Sequence, residues 1–330
     1  MRTRILFITL IATSVSALSM RQSLFDYMYA EELGFHPPSE RERQNAIGSM
    51  RGLSKSDRRA FAADGFEPIH LPDPHDWLAK HRESGQTFAQ FSASEPNLPN
   101  ASRPRIYFQP IGEFDSGISP RFEDLKRFAE AYFGLDVKIM PSVPFGNLDI
   151  KNRQSRFNGR RQYLTSDILE FLKGRLSDDA FCLLAITMED LYPKESWGFV
   201  FGQASLRNRV GVYSFARYGP LGRDKQITDQ HRQVVLRRSC QVLAHETAHM
   251  FGIRHCIYFE CVMNGSNSMR ESDSRDIHMC PVCLRKLQWS TKSDVPQRYE
   301  NLMATYNTIG LHSESKWVEQ RIKFIEKGKK

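Results

Sequence analysis

The sequence predicts an α+β fold, in which helices pack on a mixed, twisted sheet. Apolar stretches of strand length alternate with helical repeats from residue 105 onward. Residues 180–187 are apolar almost throughout, as expected of a central strand covered on both faces. A long apolar helix is predicted to end near residue 251. The order strand, helix, strand, helix, three strands and helix is typical of a mixed sheet with helices packed on it.

Residues 1–19 have the features of a leader. A basic start and an apolar run precede the small residues Val15-Ser16-Ala17, as before a signal-peptide cleavage site. The apolar run is too short to span a bilayer, and no later stretch reaches the necessary length. The alternatives are that translation starts at Met20 or that the run is a hydrophobic end of the chain, and the sequence leaves these open.

Residues 20–102 are polar and interrupted by proline, so they are predicted to form an N-terminal extension that ends in a linker. Trp77, Phe88 and Phe91 are expected to pack onto the main domain. No catalytic residue is visible in this segment.

The main domain is predicted to span residues 103–295, followed by a helical, basic tail at residues 296–330. Residues 105–109 alternate as in a strand. Ser119-Pro120 is a favourable helix start, and Gly134 a favourable helix end. The further predicted elements are a strand at 135–140, a polar connection at 141–161, a short helix at 166–172, strands at 180–187, 199–205 and 211–217, and a helix capped by Thr228 or Asp229.

The long helix carries an HExxH motif, with His245, Glu246 and His249, and Gly252 and His255 follow it. Residues four apart lie on one helical face, so both histidines can bind one Zn²⁺ with Glu246 beside it as a general base. The glycine can adopt the positive φ that ends a helix and turns the chain, which brings His255 back as a third ligand. Three protein ligands leave one position for water, as in catalytic zinc sites. HExxH alone also arises by chance, but the longer spacing favours a catalytic zinc.

A second metal site is predicted directly after this motif, where four of the six cysteines occur. Two cysteine pairs separated by a loop can place four thiolates around Zn²⁺, and such a closed site is structural. Two disulfides or a redox CxxC are the alternatives, but residues 271–278 look like a loop rather than the strand that usually precedes a redox motif. His278 is a further candidate ligand. The four cysteines are Cys256, Cys261, Cys280 and Cys283.

Met263, eight residues after His255, is the candidate for an apolar floor beneath the zinc ligands, the Met-turn. Met269 competes for this role, and simple core packing is the alternative for both. Cys182 in the central strand and Cys240 on the long helix are expected to be buried apolar residues rather than ligands.

The chain has 330 residues, 40% of them hydrophobic, and a formal net charge of +8. This charge favours acidic partners. Lysine and arginine are scattered, however, and no nucleic-acid-binding motif is present. We therefore expect neither a nucleic-acid nor a membrane partner, and the oligomeric state stays open.

The histidine motif, the four cysteines and residues 179–218 together resemble the archaemetzincin family. The similarity covers about residues 65–295. It implies a metzincin-like zinc metallopeptidase fold with one catalytic and one structural zinc. It also implies Glu246 as the acid/base and Met263 as the Met-turn residue. The implied zinc ligands are His245, His249 and His255 for the catalytic ion and Cys256, Cys261, Cys280 and Cys283 for the structural ion.

The expected activity is hydrolysis of peptide bonds by zinc-activated water, with Glu246 transferring the proton to the leaving amine. In metzincins an antiparallel edge strand binds extended substrate, and residues 199–205 are the candidate here. The resemblance also implies aminopeptidase-like action on small peptides; the alternative is a zinc-stabilised binding module without catalysis. Zinc thiolates favour the cytosol, whereas the leader favours secretion. Sequons occur at Asn100 and Asn264, but a glycan on Asn264 would lie beside the Met-turn, which disfavours the secretory route.

Overall fold

The computed structural model describes residues 29–31, 33–219 and 226–327. The leader predicted at residues 1–19 and the last lysines of the tail lie outside this part of the chain. The strands are β1 (Arg105–Ile111), β2 (Asp136–Ile139), β3 (Asn152–Gln154), β4 (Arg161–Leu164), β5 (Ala180–Thr187), β6 (Asp190–Tyr192), β7 (Gly202–Ala204) and β8 (Val210–Ser214).

A five-stranded sheet of order β2-β1-β5-β8-β7 forms the centre of the molecule. Neighbouring strands are parallel except β7, which pairs antiparallel with β8 at the edge. All residues of β5 are buried, because helices or loops cover both faces of this central strand. The predicted mixed sheet with an antiparallel edge strand is therefore confirmed. A second sheet, β3-β4-β6, begins with β3 inside the region predicted to be a connection, whereas β4 begins at the end of that region and β6 follows it.

The helices pack on the sheet and on one another. Within the described residues, no helix combines the length and hydrophobicity needed to cross a bilayer. The helices are α1 (Glu40–Ile47), α2 (Lys55–Ala60), α3 (Trp77–Lys80), α4 (Phe88–Ala93), α5 (Phe122–Phe133), α6 (Thr165–Lys173), α7 (Asp229–Met250), α8 (Met269–Asp273), α9 (Pro281–Thr291), α10 (Val295–Ile309) and α11 (His312–Glu326).

Helix α7 carries the histidine motif and packs on β5, β7, β8 and α5. Thr228 caps its N-terminus, as predicted, by accepting a hydrogen bond from the backbone N–H of His231. The helix ends at Met250 with Phe251 as its C-cap, and Gly252 has a φ of 87°. This left-handed conformation is costly for other residues, which explains why a glycine occupies the turn after the motif.

Three elements differ in extent from the predictions. Helix α5 starts at Phe122 because the Ser119 N–H instead donates to the Asp115 carbonyl in a preceding turn. The edge strand is shorter than residues 199–205 because the Val200 N–H donates to Leu191, so only the following residues pair with β8. The segment 271–278 is not a loop throughout, since α8 extends to Asp273.

The N-terminal segment contributes to the main core. Ile47, Phe61 and Phe91 are fully buried in the same cluster as residues of β5 and α7. On α11, the Arg321 guanidinium donates to backbone carbonyls between Arg59 and Asp64, which joins the two ends of the described chain. The domain boundaries predicted at 102/103 and 295/296 stay predictions.

Glu314 on α11 joins this helix to the motif helix. Its carboxylate accepts a hydrogen bond from Arg237 Nε at 2.7 Å and lies 3.2 Å from His278 Nε2. The His278 ring stacks on the Trp317 ring, and His278 is not among the described residues that form the cysteine group. Burial raises the pKa of Glu314, but the contact with His278 and the charge of Arg237 outweigh burial and lower it to about 2.

Glu314→Gln is expected to lower the free energy of unfolding at pH 7 by about 1–3 kcal/mol, because it leaves the partly buried Arg237 without its carboxylate partner. The stabilisation by a carboxylate with a lowered pKa is present above its unfolded-state pKa of 4.5 and is lost toward pH 2. Urea unfolding of both proteins should therefore give curves that converge in acid. A constant difference between pH 7 and pH 2.5 would contradict this account, and the exposed Glu319→Gln is the control.

Candidate active site

The predicted histidines converge at the end of α7. His245 and His249 lie on successive turns, and the turn at Gly252 brings His255 back toward them. The Nε2 atoms of His245 and His249 are 3.0 Å apart, and one ring nitrogen of each histidine lies within 4.8 Å of the others. Nitrogen ligands of tetrahedral zinc are roughly 3.3 Å apart, so this group fits a zinc ion.

The other ring nitrogens are occupied, which orients each ring toward the common centre. His245 Nδ1 donates to the Val262 carbonyl and His249 Nδ1 to the Ile253 carbonyl, both at 2.7 Å. His255 Nδ1 lies 2.7 Å from Glu83 Oε1. When Nδ1 carries the proton, the Nε2 lone pair is free to bind a metal.

The histidines of α7 are suited to be neutral ligands. Burial lowers the pKa of His245 to about 3 and brings that of His249 well below its ordinary range. Because metal binding requires the unprotonated imidazole, no proton has to be displaced from these two rings at neutral pH.

Glu246 lies on the same helix and faces the edge strand. It is 5% exposed, and burial raises the pKa of its carboxyl to about 8. A general base works best when its pKa lies near the operating pH, so this environment suits proton transfer. A Cβ atom on Gly202 would come within 2.5 Å of Glu246 Oε1, which shows how closely the strand backbone approaches the carboxylate.

A cleft of about 840 Å³ opens over the histidines, Glu246 and strand β7. Aromatic side chains line it near His255. Trp77 lies edge-on to His255 at 5.2 Å between ring centroids and stacks on His81 at 3.8 Å. Trp197 and Phe157 also line the cleft, and the Phe157 side chain is 81% exposed.

The sequence analysis missed the contribution of residues 77–83. Glu83, Trp77 and His81 come from a segment in which no catalytic residue was visible, yet Trp77 and His81 line the cleft and Glu83 contacts His255. Burial raises the pKa of Glu83, but its hydrogen bonds from His255 and Trp77 outweigh burial, so the pKa is lowered overall. No local pattern marks these residues, because Glu83 and His255 are 172 positions apart.

The four predicted cysteines form a single cluster. Their sulfur atoms lie within 4.8 Å of one another, and Cys256 Sγ is 3.6 Å from Cys280 Sγ. All six cysteines of the chain are free, so the alternative of two disulfides is not observed. Burial raises the pKa of the Cys261 and Cys280 thiols, so four thiolates become favourable there only around a cation. Cys182 and Cys240 are buried outside the cluster, as predicted.

The cysteine cluster and the histidines share one loop. The Cys256 N–H donates to the Met263 carbonyl at 2.8 Å, and the Asn264 side chain donates to the Cys256 carbonyl at 2.8 Å. The Val262 carbonyl in this loop orients His245. Met263 is fully buried, whereas Met269 packs only partly against the core. The loop therefore connects metal binding at the cysteines to the position of the histidines.

Comparisons with known proteins point to one family. Peptidase family M54 matches residues 134–289. A solved archaemetzincin from Methanopyrus kandleri is 28% identical, with 59% of this chain and 99% of that chain covered and a TM-score of 0.45. Archaemetzincin-2 of Macaca fascicularis is 40% identical over 73% of this chain and 75% of the relative. Archaemetzincin-2 of Homo sapiens is 39% identical over 80% of each chain.

The chain belongs to the archaemetzincin family. Archaemetzincins are zinc metallopeptidases, and the two ligand groups of this archaemetzincin, three histidines and four cysteines, can hold two zinc ions. The histidine group opens on the cleft, whereas the cysteine group is buried. A zinc ion held by the histidines would therefore face the cleft.

Gly202→Ala in this archaemetzincin is expected to lower kcat by about 10²-fold without loss of zinc. The added methyl group must displace the Glu246 carboxylate, and a displacement of about 1 Å is enough for such an effect. Peptide hydrolysis and zinc content should be measured together. Gly146→Ala is the control, since a Cβ there meets no atom within 4 Å. Full activity of Gly202→Ala would show that the strand does not position Glu246.

Proposed function

We propose that the chain hydrolyses peptide bonds at the histidine site, with Glu246 as the general base. The observation that carries this proposal is the convergence of three Nε2 atoms at an open cleft, with one buried carboxylate beside them. Such a group of three histidine ligands and a base is typical of catalytic zinc sites rather than structural ones.

The histidines and Glu246 have separate roles in the proposed hydrolysis. When bound, zinc supplies a Lewis acid that polarises the substrate carbonyl and activates water. His245, His249 and His255 hold it. Glu246 accepts the proton of the attacking water on its carboxylate and then gives that proton to the nitrogen of the leaving amine. Burial raises the pKa of Glu246, so its ionised carboxylate is a stronger base than an exposed one.

The substrate is proposed to bind in an extended conformation along β7. This strand is the edge of the sheet and lines the cleft, so its outer side can form main-chain hydrogen bonds with a peptide. The aromatic side chains near His255 suit apolar groups of the substrate. We also propose aminopeptidase-like action on small peptides, which rests on the family resemblance and on Trp77 narrowing the cleft beside His255.

A peptide-library digest of the zinc-loaded protein tests this function. We expect cleavage that a chelator stops and added zinc restores, with peptides that carry a free amino terminus preferred over acetylated ones. Equal cleavage of both sets would contradict the aminopeptidase-like part alone. If the protein carries two zinc ions and cleaves no peptide, a non-catalytic binding module is the better description.

We propose that the protein works in a reducing compartment, such as the cytosol. Four thiolates persist around zinc most readily where disulfides do not form. The side-chain amide of Asn264 donates to the Cys256 and Phe259 carbonyls and is buried, so a glycan on this sequon is incompatible with the fold. N-terminal sequencing of the native protein tests this proposal, since removal of residues 1–17 would contradict it.

A further inference from the structure

We propose that Glu83 is a positioning residue, which holds the imidazole of His255 so that Nε2 faces the zinc and thereby sets the zinc affinity of the histidine site. The inference rests on the proposed function, because it assumes that His255 is a ligand. It concerns a residue that lies outside the part matched by the peptidase family and far from the motif in sequence.

The contact itself distinguishes His255 from the other two histidines. Within the described residues, His245 and His249 each bind a backbone carbonyl, whereas the Nδ1 partner of His255 is a side chain. A backbone carbonyl is fixed by the loop that carries it, but the orientation of His255 depends on where one carboxylate is held. A carboxylate on Nδ1 fixes the tautomer and increases the basicity of the ligand.

The position of Glu83 is itself determined by its neighbours. The indole N–H of Trp77 donates to the same Oε1 atom at 2.8 Å, and the side chain of Glu83 is 22% exposed. The backbone N–H of Trp77 donates to Glu271 Oε1 at 2.8 Å. The indole lies so close to Gly265 that a Cβ on this glycine would come within 2.4 Å of the ring. This segment is therefore held against the chain between Cys261 and Cys280.

A second contact fixes the same segment to the turn of the motif. The Gln86 side chain donates to the Gly252 carbonyl at 3.3 Å and accepts from the Arg254 N–H at 3.1 Å. These contacts hold the backbone before His255, and the Cys256 N–H, which donates to the Met263 carbonyl, holds the backbone after it without Glu83. Loss of the carboxylate should release mainly the ring of His255, and the rest of the segment should stay bound.

Glu83→Ala is expected to weaken zinc binding at the histidine site by about 10–100-fold, the usual effect of removing such a partner. Binding at the cysteine cluster should not change. Glu83→Gln should give a smaller loss, because its amide oxygen still accepts from Nδ1 but carries no charge. Glu170→Gln is the control, since this exposed carboxylate pairs only with Lys173 on α6.

Chelator competition on the full-length, zinc-loaded variants measures the affinity of each site. Cobalt substitution supplies a second readout, because the visible spectrum of Co²⁺ in the histidine site reports the geometry of its ligands. We expect a changed spectrum for Glu83→Ala and unchanged thiolate bands from the cysteine cluster. Neither measurement depends on peptide hydrolysis, so a protein that cleaves no peptide still tests the role of Glu83.

Wild-type zinc affinity and an unchanged cobalt spectrum in Glu83→Ala would overturn the proposal. If the alanine variant fails to fold, Glu83→Gln decides. A folded glutamine variant with wild-type affinity and spectrum would then show that Glu83 only stabilises the fold. A glutamine variant that holds both zinc ions, but loses the one at the histidines at a lower chelator concentration, supports the positioning role.

Discussion

Glu246→Gln is expected to bind two zinc ions per chain and to hydrolyse peptides about 10²–10⁴-fold more slowly than the wild type. The amide has the size of the carboxylate, so it fits between α7 and Gly202, and the ligand histidines stay where they are. It cannot accept the proton of the attacking water, and general base catalysis contributes about this factor.

Turnover of a library-derived peptide and zinc content by elemental analysis should be measured on the same preparation. Glu170→Gln on α6 is the matched control, since it removes one carboxylate from the surface without contact with the cleft. Wild-type turnover by Glu246→Gln would show that another group carries the proton. Loss of zinc together with activity would show instead that Glu246 holds the site together.

Cys283→Ser is expected to lose the structural zinc and to lower the melting temperature by at least about 10 °C. Structural zinc contributes about 10–16 kcal/mol in small zinc domains, and 1 kcal/mol corresponds to about 2–4 °C in a domain of 150–250 residues. Cys283 is fully buried near the start of α9, so no water can replace the thiolate without opening the core. The histidine site should also lose affinity, because the Cys256–Met263 hydrogen bond connects the two sites.

Zinc content and thermal unfolding of Cys283→Ser should be compared with those of Cys182→Ala. Cys182 is also fully buried, but it lies in β5 outside the cluster. The control should keep two zinc ions and lose only the stability of a small core substitution. A serine variant that keeps two zinc ions and has the melting temperature of the wild type would contradict a structural role of the cluster.

The residues that the sequence predicted correctly are those whose chemistry is local. His245 and His249 are four positions apart on a helix, and each cysteine pair is short, so spacing alone places their side chains together. The antiparallel edge strand was also predicted at the right place, although its length was not. Strand length depends on which carbonyl accepts each backbone N–H, and the Val200 N–H donates to the Leu191 carbonyl.

The site residues whose roles could not be predicted from the sequence reach the site through tertiary contacts. Gly202 has no side chain to predict from, and its role appears only when β7 lies against Glu246. Trp77 and Glu83 belong to the polar segment that is predicted to be an N-terminal extension, and only the folded chain shows that they contact His255 and the loop at Gly265.

Anomalous diffraction from crystals of the zinc-loaded protein, on both sides of the zinc edge, tests the central claim most directly. We expect one ion about 2.0–2.1 Å from Nε2 of His245, His249 and His255, with solvent at the fourth position, and a second about 2.3 Å from the four cysteine sulfurs. An ion bound by His245 and His249 with the His255 ring turned away, or a fourth side chain on the metal, would contradict the account.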